Sequence, residues 1–101
     1  MMLSPELVKE MLRDVYDPEL RLNVVDLGLV YDIACTPEGE VDVLMTLTSP
    51  GCPVGDEIAR QVHEALSGFP GVRRVGVRFT FDPPWTPERM SEELRAELGL
   101  D

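Results

Sequence analysis

The sequence predicts an α+β fold, a two-layer α/β sandwich of element order α-β-β-α-β-α, in which a three-stranded mixed sheet carries its helices on one face. Three observations predict it. Segments of helical and of strand period alternate in that order along the chain, and each strand-like segment has a single apolar face. The 101 residues also suffice for one core, burying somewhat over ~60% of the unfolded surface, so one domain over residues 1–101 is expected.

Ser4 followed by Pro5 is a helix-start signal, and Leu7, Val8, Met11, Leu12 and Val15 recur at helical spacing, predicting an amphipathic helix ending near Val15. Pro18 disfavours helix at Asp17, so YDPELRLNVVDLG reads as an irregular, acidic loop holding Asp17, Glu19 and Asp26. From Leu29 to Thr36 the residues alternate, with Leu29, Tyr31, Ile33 and Cys35 on the expected core face. Pro37 to Glu40 form a hairpin turn, and Val41, Val43, Met45 and Leu47 then face the core of an antiparallel second strand while Thr46 and Thr48 face the other way. A helix follows with the stripe Val54, Ile58, Val62, Ala65 and Leu66, and Gly68 to Gly71 end it. The third strand runs from Val72 to about Phe81, with Val75, Val77, Phe79 and Phe81 inward, and it can pair with either of the other two. The β-α-β crossover is expected to be right-handed. Asp82-Pro83-Pro84-Trp85 breaks the sheet, Thr86-Pro87 starts a last helix carrying Met90, Leu94 and Leu98, and Gly99 stops it.

Nineteen acidic against nine basic side chains give a net charge of −10, which repels phosphate backbones and anionic membrane surfaces. No nucleic-acid or membrane partner is therefore expected. The N-terminus has no apolar signal-peptide core, and no window approaches the ~18 apolar residues of a membrane span, so a cytoplasmic location is expected. Cys35 and Cys52 form no Cys-x-x-Cys pair, in keeping with a reducing compartment.

Residues 48 to 58, TSPGCPVGDEI, place Cys52 between a strand-like and a helix-like segment. At a helix start, unpaired N–H groups and the positive end of the dipole favour thiolate, the form that attacks electrophiles and binds soft metals. Pro53 suits the first helical position and Gly51 permits a tight turn before it. Nucleophile and metal ligand are both open on this ground alone. A phosphatase loop would separate the cysteine from an arginine by five residues, but here seven intervene before Arg60. The single histidine, His63, is about 16 Å further along the helix, out of reach as a general base. Cys35 continues a strand's apolar face and reads as a packed thiol. Asp17, Glu19 and Asp26 suit acid/base work or hard-metal ligation, and capping and turn formation explain Asp17 and Asp26 equally well. Thr48 and Ser49 offer hydroxyls to a sulfur ligand or to the loop backbone, and Trp85 reads as a lid on the core.

Taken together, Asp17-Pro18-Glu19-Leu20, NVVDLGLVYDI, MTLTSPGCPVGDEI, PGV and DPPWTPERMSEELRAELG resemble the small iron–sulfur assembly family that includes SufT and the N-terminal part of PaaD. The likeness covers nearly the whole chain, and its specificity lies in DPEL followed at this spacing by Thr-x-x-x-Cys-Pro. It implies a role in maturing or delivering iron–sulfur clusters. The marked positions fall on Asp17, Glu19, Leu20, Thr48, Ser49 and Cys52. PaaD-like members carry a cysteine-rich C-terminal extension that does not occur before Asp101, so the short, stand-alone type is expected.

A cluster usually takes four thiolates and one chain offers at most two, so a cluster bound here would be transient and shared, by a homodimer or with a client apoprotein or another assembly protein. The expectation is a non-enzymatic assembly, carrier or maturation factor, with Cys52 as metal ligand and Asp17, Glu19, Thr48 and Ser49 shaping the site. The alternatives are a thiol-dependent enzyme using Cys52 as nucleophile, or a metal-free adaptor that docks clients on the open sheet face bearing Thr46 and Thr48.

Overall fold

A computed structural model describes residues 3–49 and 54–100. Helix α1 spans Pro5–Met11 and continues as a 3₁₀ turn over Leu12–Asp14. Ser4 caps it, its hydroxyl accepting the Leu7 N–H at 3.1 Å. The expected irregular stretch holds a short antiparallel hairpin, β1 (Tyr16–Asp17) and β2 (Leu22–Asn23). Then come β3 (Val30–Cys35), β4 (Glu40–Met45), α2 (Gly55–Ser67), β5 (Arg74–Phe79) and α3 (Glu92–Leu98). The last helix starts later than Thr86-Pro87 suggests. Pro87–Arg89 form a separate 3₁₀ turn, Ser91 caps α3 by accepting the Leu94 N–H, and Gly99 ends it in the left-handed conformation at φ 73°.

The main sheet has the order β3-β4-β5, with β3 antiparallel and β5 parallel to the central β4. Strand order, open in the sequence, is thus set by α2 carrying the chain from β4 back to a parallel neighbour. Val41, Val43 and Met45 of β4 are buried with Val8, Leu12, Ile58, Val62 and Leu66, so α1 and α2 share one face of the sheet. The opposite face presents Asp32, Ala34, Asp42, Arg74 and Arg78, all exposed. Gly76 lies on that face opposite Asp42, whose Oδ1 would stand 2.5 Å from an added Cβ.

A register irregularity between Val30 and Asp32 changes the parity of β3. Val30 pairs with Met45 and packs on the core, Ile33 and Cys35 do so further along, and Tyr31 becomes the extra residue of the bulge. Tyr31 therefore leaves the core face expected for it. Two further expectations are corrected. Thr46 is fully buried rather than on an open face, because β4 ends at Met45 and the chain turns inward, the Thr46 N–H donating to Leu29 O at 2.8 Å. Phe81 is exposed because β5 ends at Phe79 and the inward alternation ends with it.

Beyond β5 the chain crosses the end of the sheet. Thr80 donates to Met45 O at 2.8 Å and the Trp85 indole N–H to Leu27 O at 2.7 Å, with the ring lying on the core as expected. The 87–89 turn presses on Gly28, where φ is 78° and an added Cβ would meet Arg89 O at 2.0 Å. No helix among the described residues is long and apolar enough to cross a membrane.

Candidate functional site

The DPEL turn is built around one carboxylate. Asp17 is 1% exposed, and its Oδ1 accepts the N–H groups of Glu19 at 2.8 Å and Leu20 at 3.1 Å. The Asp17 carbonyl accepts the Arg21 N–H at 2.7 Å, and Arg21 takes a left-handed φ of 59° that lets the chain reverse into β2. Asp17 thus acts as the internal support of the turn, and Glu19 and Leu20 are exposed on it. Leu20 and Tyr16, 45% and 48% exposed, are among the most exposed large apolar side chains of the molecule.

The hairpin is fastened to α2 by a residue that sequence reasoning missed. The Gln61 carboxamide pairs with the Tyr16 backbone as a neighbouring strand would: Oε1 accepts the Tyr16 N–H at 2.9 Å and Nε2 donates to Tyr16 O at 3.0 Å. Gln61 is held in turn by Glu57, which accepts from its Nε2 at 3.2 Å. Arg60 donates to Glu57 at 2.6 Å and 3.0 Å, which holds that carboxyl below the usual range, and Arg60 also pairs with Glu64. A glutamine beside an apolar stripe gives no sequence signal for such a role. Gln61 lies six residues beyond Gly55, about 9 Å along the axis, so the DPEL turn is fixed beside the middle of α2.

The second block approaches the same helix from β4. Leu47 is buried, Thr48 half-buried and Ser49 exposed. An added Cβ on Gly55 would lie 3.4 Å from Leu47 Cδ1 and 3.9 Å from Phe79, so the start of α2 sits tightly on the end of the sheet. The helix begins at Gly55 rather than at Pro53, with Val54 at the N-cap. Val54 has no side-chain acceptor, so the N-cap residue itself gives the first turn no side-chain cap. Cys52, with Pro50, Gly51 and Pro53, lies outside the described residues, three positions before the first helical residue. Of the sequence-selected set, Asp17 and Glu19 are thus attached to α2 through Gln61, while Thr48 and Ser49 lie on the chain leading into that helix.

Asp26 belongs to a different tie. It accepts from Asn23 Nδ2 at 2.7 Å and from Arg13 at 3.0 Å, its backbone carbonyl accepts the Ser91 N–H at 2.8 Å, and the Asn23 and Arg13 bonds lower its pKa against a partial burial penalty. Cys35 is a free, half-buried thiol whose pKa burial pushes up, with the charge of Glu6 adding to the effect. It pairs with Val41, whereas the chain toward Cys52 leaves β4 at Met45, about 13 Å further along the strand. His63 is exposed, as its place off the apolar stripe predicts.

Every buried side-chain polar atom among the described residues has a hydrogen-bond partner, and those residues contain no group of three or more His, Cys, Asp and Glu able to hold a metal ion. The described part of the constellation therefore supports a turn and leads into a helix start.

Residues 5–79 match the family model described as iron–sulfur cluster assembly protein. The chain is 46% identical over 97 residues to an Fe–S protein maturation auxiliary factor of Porphyromonas gingivalis, covering 96% of this chain and 92% of that protein. It is 43% identical over 86 residues to the Fe–S protein maturation auxiliary factor SufT of Staphylococcus aureus, covering 85% and 98%. Among solved structures, a domain of unknown function, DUF59, from Bacillus anthracis superposes with a TM-score of 0.89 at 36% identity, covering 96% and 92% of the two chains.

Proposed function

The chain belongs to the iron–sulfur cluster assembly protein family, and on that premise we propose that it is a non-enzymatic cytoplasmic factor, one domain over residues 1–101, that carries a cluster transiently and passes it to client apoproteins. A role in iron–sulfur cluster assembly and maturation follows from the family and from relatives named for that role. The cluster is cargo. Cys52 is its ligand from this chain, and the Asp17 turn, Glu19, Thr48 and Ser49 shape the surroundings in which it is held.

The observation that carries this reading is the fastening of the DPEL turn to α2 through Gln61, which ties the first block to the helix the second block leads into. The positive end of the α2 dipole favours thiolate in its neighbourhood, and Asp56 and Glu57 in the first turn limit that effect. One chain offers at most two thiolates where a cluster usually takes four, so the remaining ligands come from a second copy of this chain, a client or another assembly protein. Such sharing suits release.

Anaerobic reconstitution with iron and sulfide tests the reading. Cluster absorbance is expected in the wild-type protein, lost in Cys52→Ser and largely kept in Cys35→Ser. Failure of the wild type to take up iron, even with a client present, overturns the carrier reading.

A further inference from the structure

Strand β3 is an edge of the main sheet, and among the described residues Val30–Cys35 make no backbone hydrogen bonds beyond the ladder to β4. An unpaired edge is a template for another strand unless something covers it. Two grooves run beside this edge. One, of about 650 Å³, is lined by residues including Lys9, Arg13, Tyr31, Leu44 and Arg89. The other, of about 260 Å³, lies between Pro5, Glu6 and Lys9 of α1 and Val30–Ile33. They meet at Lys9, Val30 and Tyr31, and Leu44 belongs to the outer face of β4, so together they form a channel that follows the strand edge and wraps it at the bulge.

The channel has a polarity. At the Tyr31 end stand three of the nine basic residues of a chain whose net charge is −10, with two carboxylates, Asp26 (engaged by Arg13) and Glu93, so that end keeps an excess of one positive charge. Arg13 is engaged by Glu10 and Asp26, but Lys9 and Arg89 have no carboxylate partner among the described residues. The Arg89 guanidinium lies 4.7 Å from the Tyr31 ring centroid, and the Tyr31 hydroxyl donates to Pro83 O at 2.9 Å, so the aromatic plate that orients this cation is itself fixed. Toward Ile33 the lining includes Glu6 and Asp32.

We infer that the outer edge of β3 binds an extended segment of a partner protein as an added strand, with a carboxylate side chain of that segment seated among Lys9, Arg13 and Arg89. Main-chain pairing supplies the binding and the cations fix register and direction, because only one end of the channel accepts an acidic residue. A small anion would satisfy the cations and leave the strand edge unpaired. A nucleic acid would meet the repulsion of the whole molecule. The inference identifies a partner surface for the assembly role proposed above, and its test contains neither iron nor sulfide, so the two stand or fall separately.

The probe is a short acetylated, amidated peptide of alternating threonine and valine with paired aspartates at one end, made in both orientations. It is titrated into the full ¹⁵N-labelled chain. Amide shifts confined to Val30–Ile33 and Arg89, with slowed amide exchange along β3, are expected for one orientation. Lys9→Glu and Arg89→Glu, both at exposed positions, should each raise its Kd about fivefold. The proposal is overturned if β3 does not respond. It is also overturned if lysines in place of the aspartates bind as tightly, or if N-methylation at alternate residues, which removes the ladder donors, leaves Kd unchanged. Acetate or phosphate reproducing the Arg89 shifts with β3 silent would overturn it as well.

Discussion

Replacing Asp17 by alanine removes the acceptor around which the DPEL turn is built. The wild-type carboxylate takes two backbone N–H bonds from a site 1% exposed. Each bond to a carboxylate contributes ~1.5 kcal/mol at the low end of its range, which applies because Glu19 and Leu20 are exposed and their freed N–H groups can meet water, giving ~3 kcal/mol for the pair. For a domain of this size that is a fall in Tm of ~12–24 °C. Asp17→Asn keeps an oxygen in the Oδ1 position and should lose ~1 kcal/mol or less. Urea unfolding followed by circular dichroism reads both variants, and cluster uptake is measured at a temperature where each is folded. If Asp17→Ala stays within ~1 kcal/mol of wild type, the support role is wrong. If Asp17→Asn folds as wild type yet takes up no cluster, the negative charge itself serves the cargo.

Gly28→Ala should destabilise by more than ~2 kcal/mol, since it combines a left-handed φ of 78° with a Cβ 2.0 Å from Arg89 O, and the loss should appear as a lower urea midpoint with no change in secondary structure at low denaturant. Gln61→Ala should cost ~1–2 kcal/mol in the same assay through the two lost bonds to Tyr16. Gln61→Glu should do no better, because it loses the donor to Tyr16 O and adds charge beside Glu57. The folded-state pKa of Asp26 is depressed, so its contribution is fully present above the unfolded value of about 3.9 and is lost as pH falls through the lower folded value. Between pH 5 and pH 3 the wild type should therefore lose more stability than Asp26→Asn, and equal losses in urea titrations at the two pH values would contradict the assignment.

Much of the fold was legible because burial and periodicity act locally. The stripe Ile58, Val62, Leu66 and the alternation Val41, Val43, Met45 each record one buried face, and both are observed. Parity was misread at Tyr31 because a bulge inserts one residue without altering which residue types occur, and only the cross-strand register reveals it. Thr46 was misplaced for a related reason: alternation was carried past the end of β4, where the backbone had already turned. The hairpin at Tyr16–Asn23 escaped because two-residue strands are held by Asp17 and Gln61 side chains rather than by propensity. At the site, sequence singled out Asp17, but the type of residue could not tell an inward-facing support from an outward-facing ligand.

The segment from Thr80 to Leu98 belongs to no ladder, and its hold on the sheet and the Leu27–Tyr31 region comes from a few discrete bonds, the Trp85 ring, Met90 and Leu94. Its consequence is kinetic. Such a segment opens as a unit at a free energy below that of global unfolding, so its amides exchange with solvent before those of β4 do. Each opening carries Arg89 off Tyr31 and lifts one wall from the strand edge. A partner that contacts Arg89 would slow that opening, and the exchange rate of the Ser91 amide, which donates to Asp26 O, would serve as the clock.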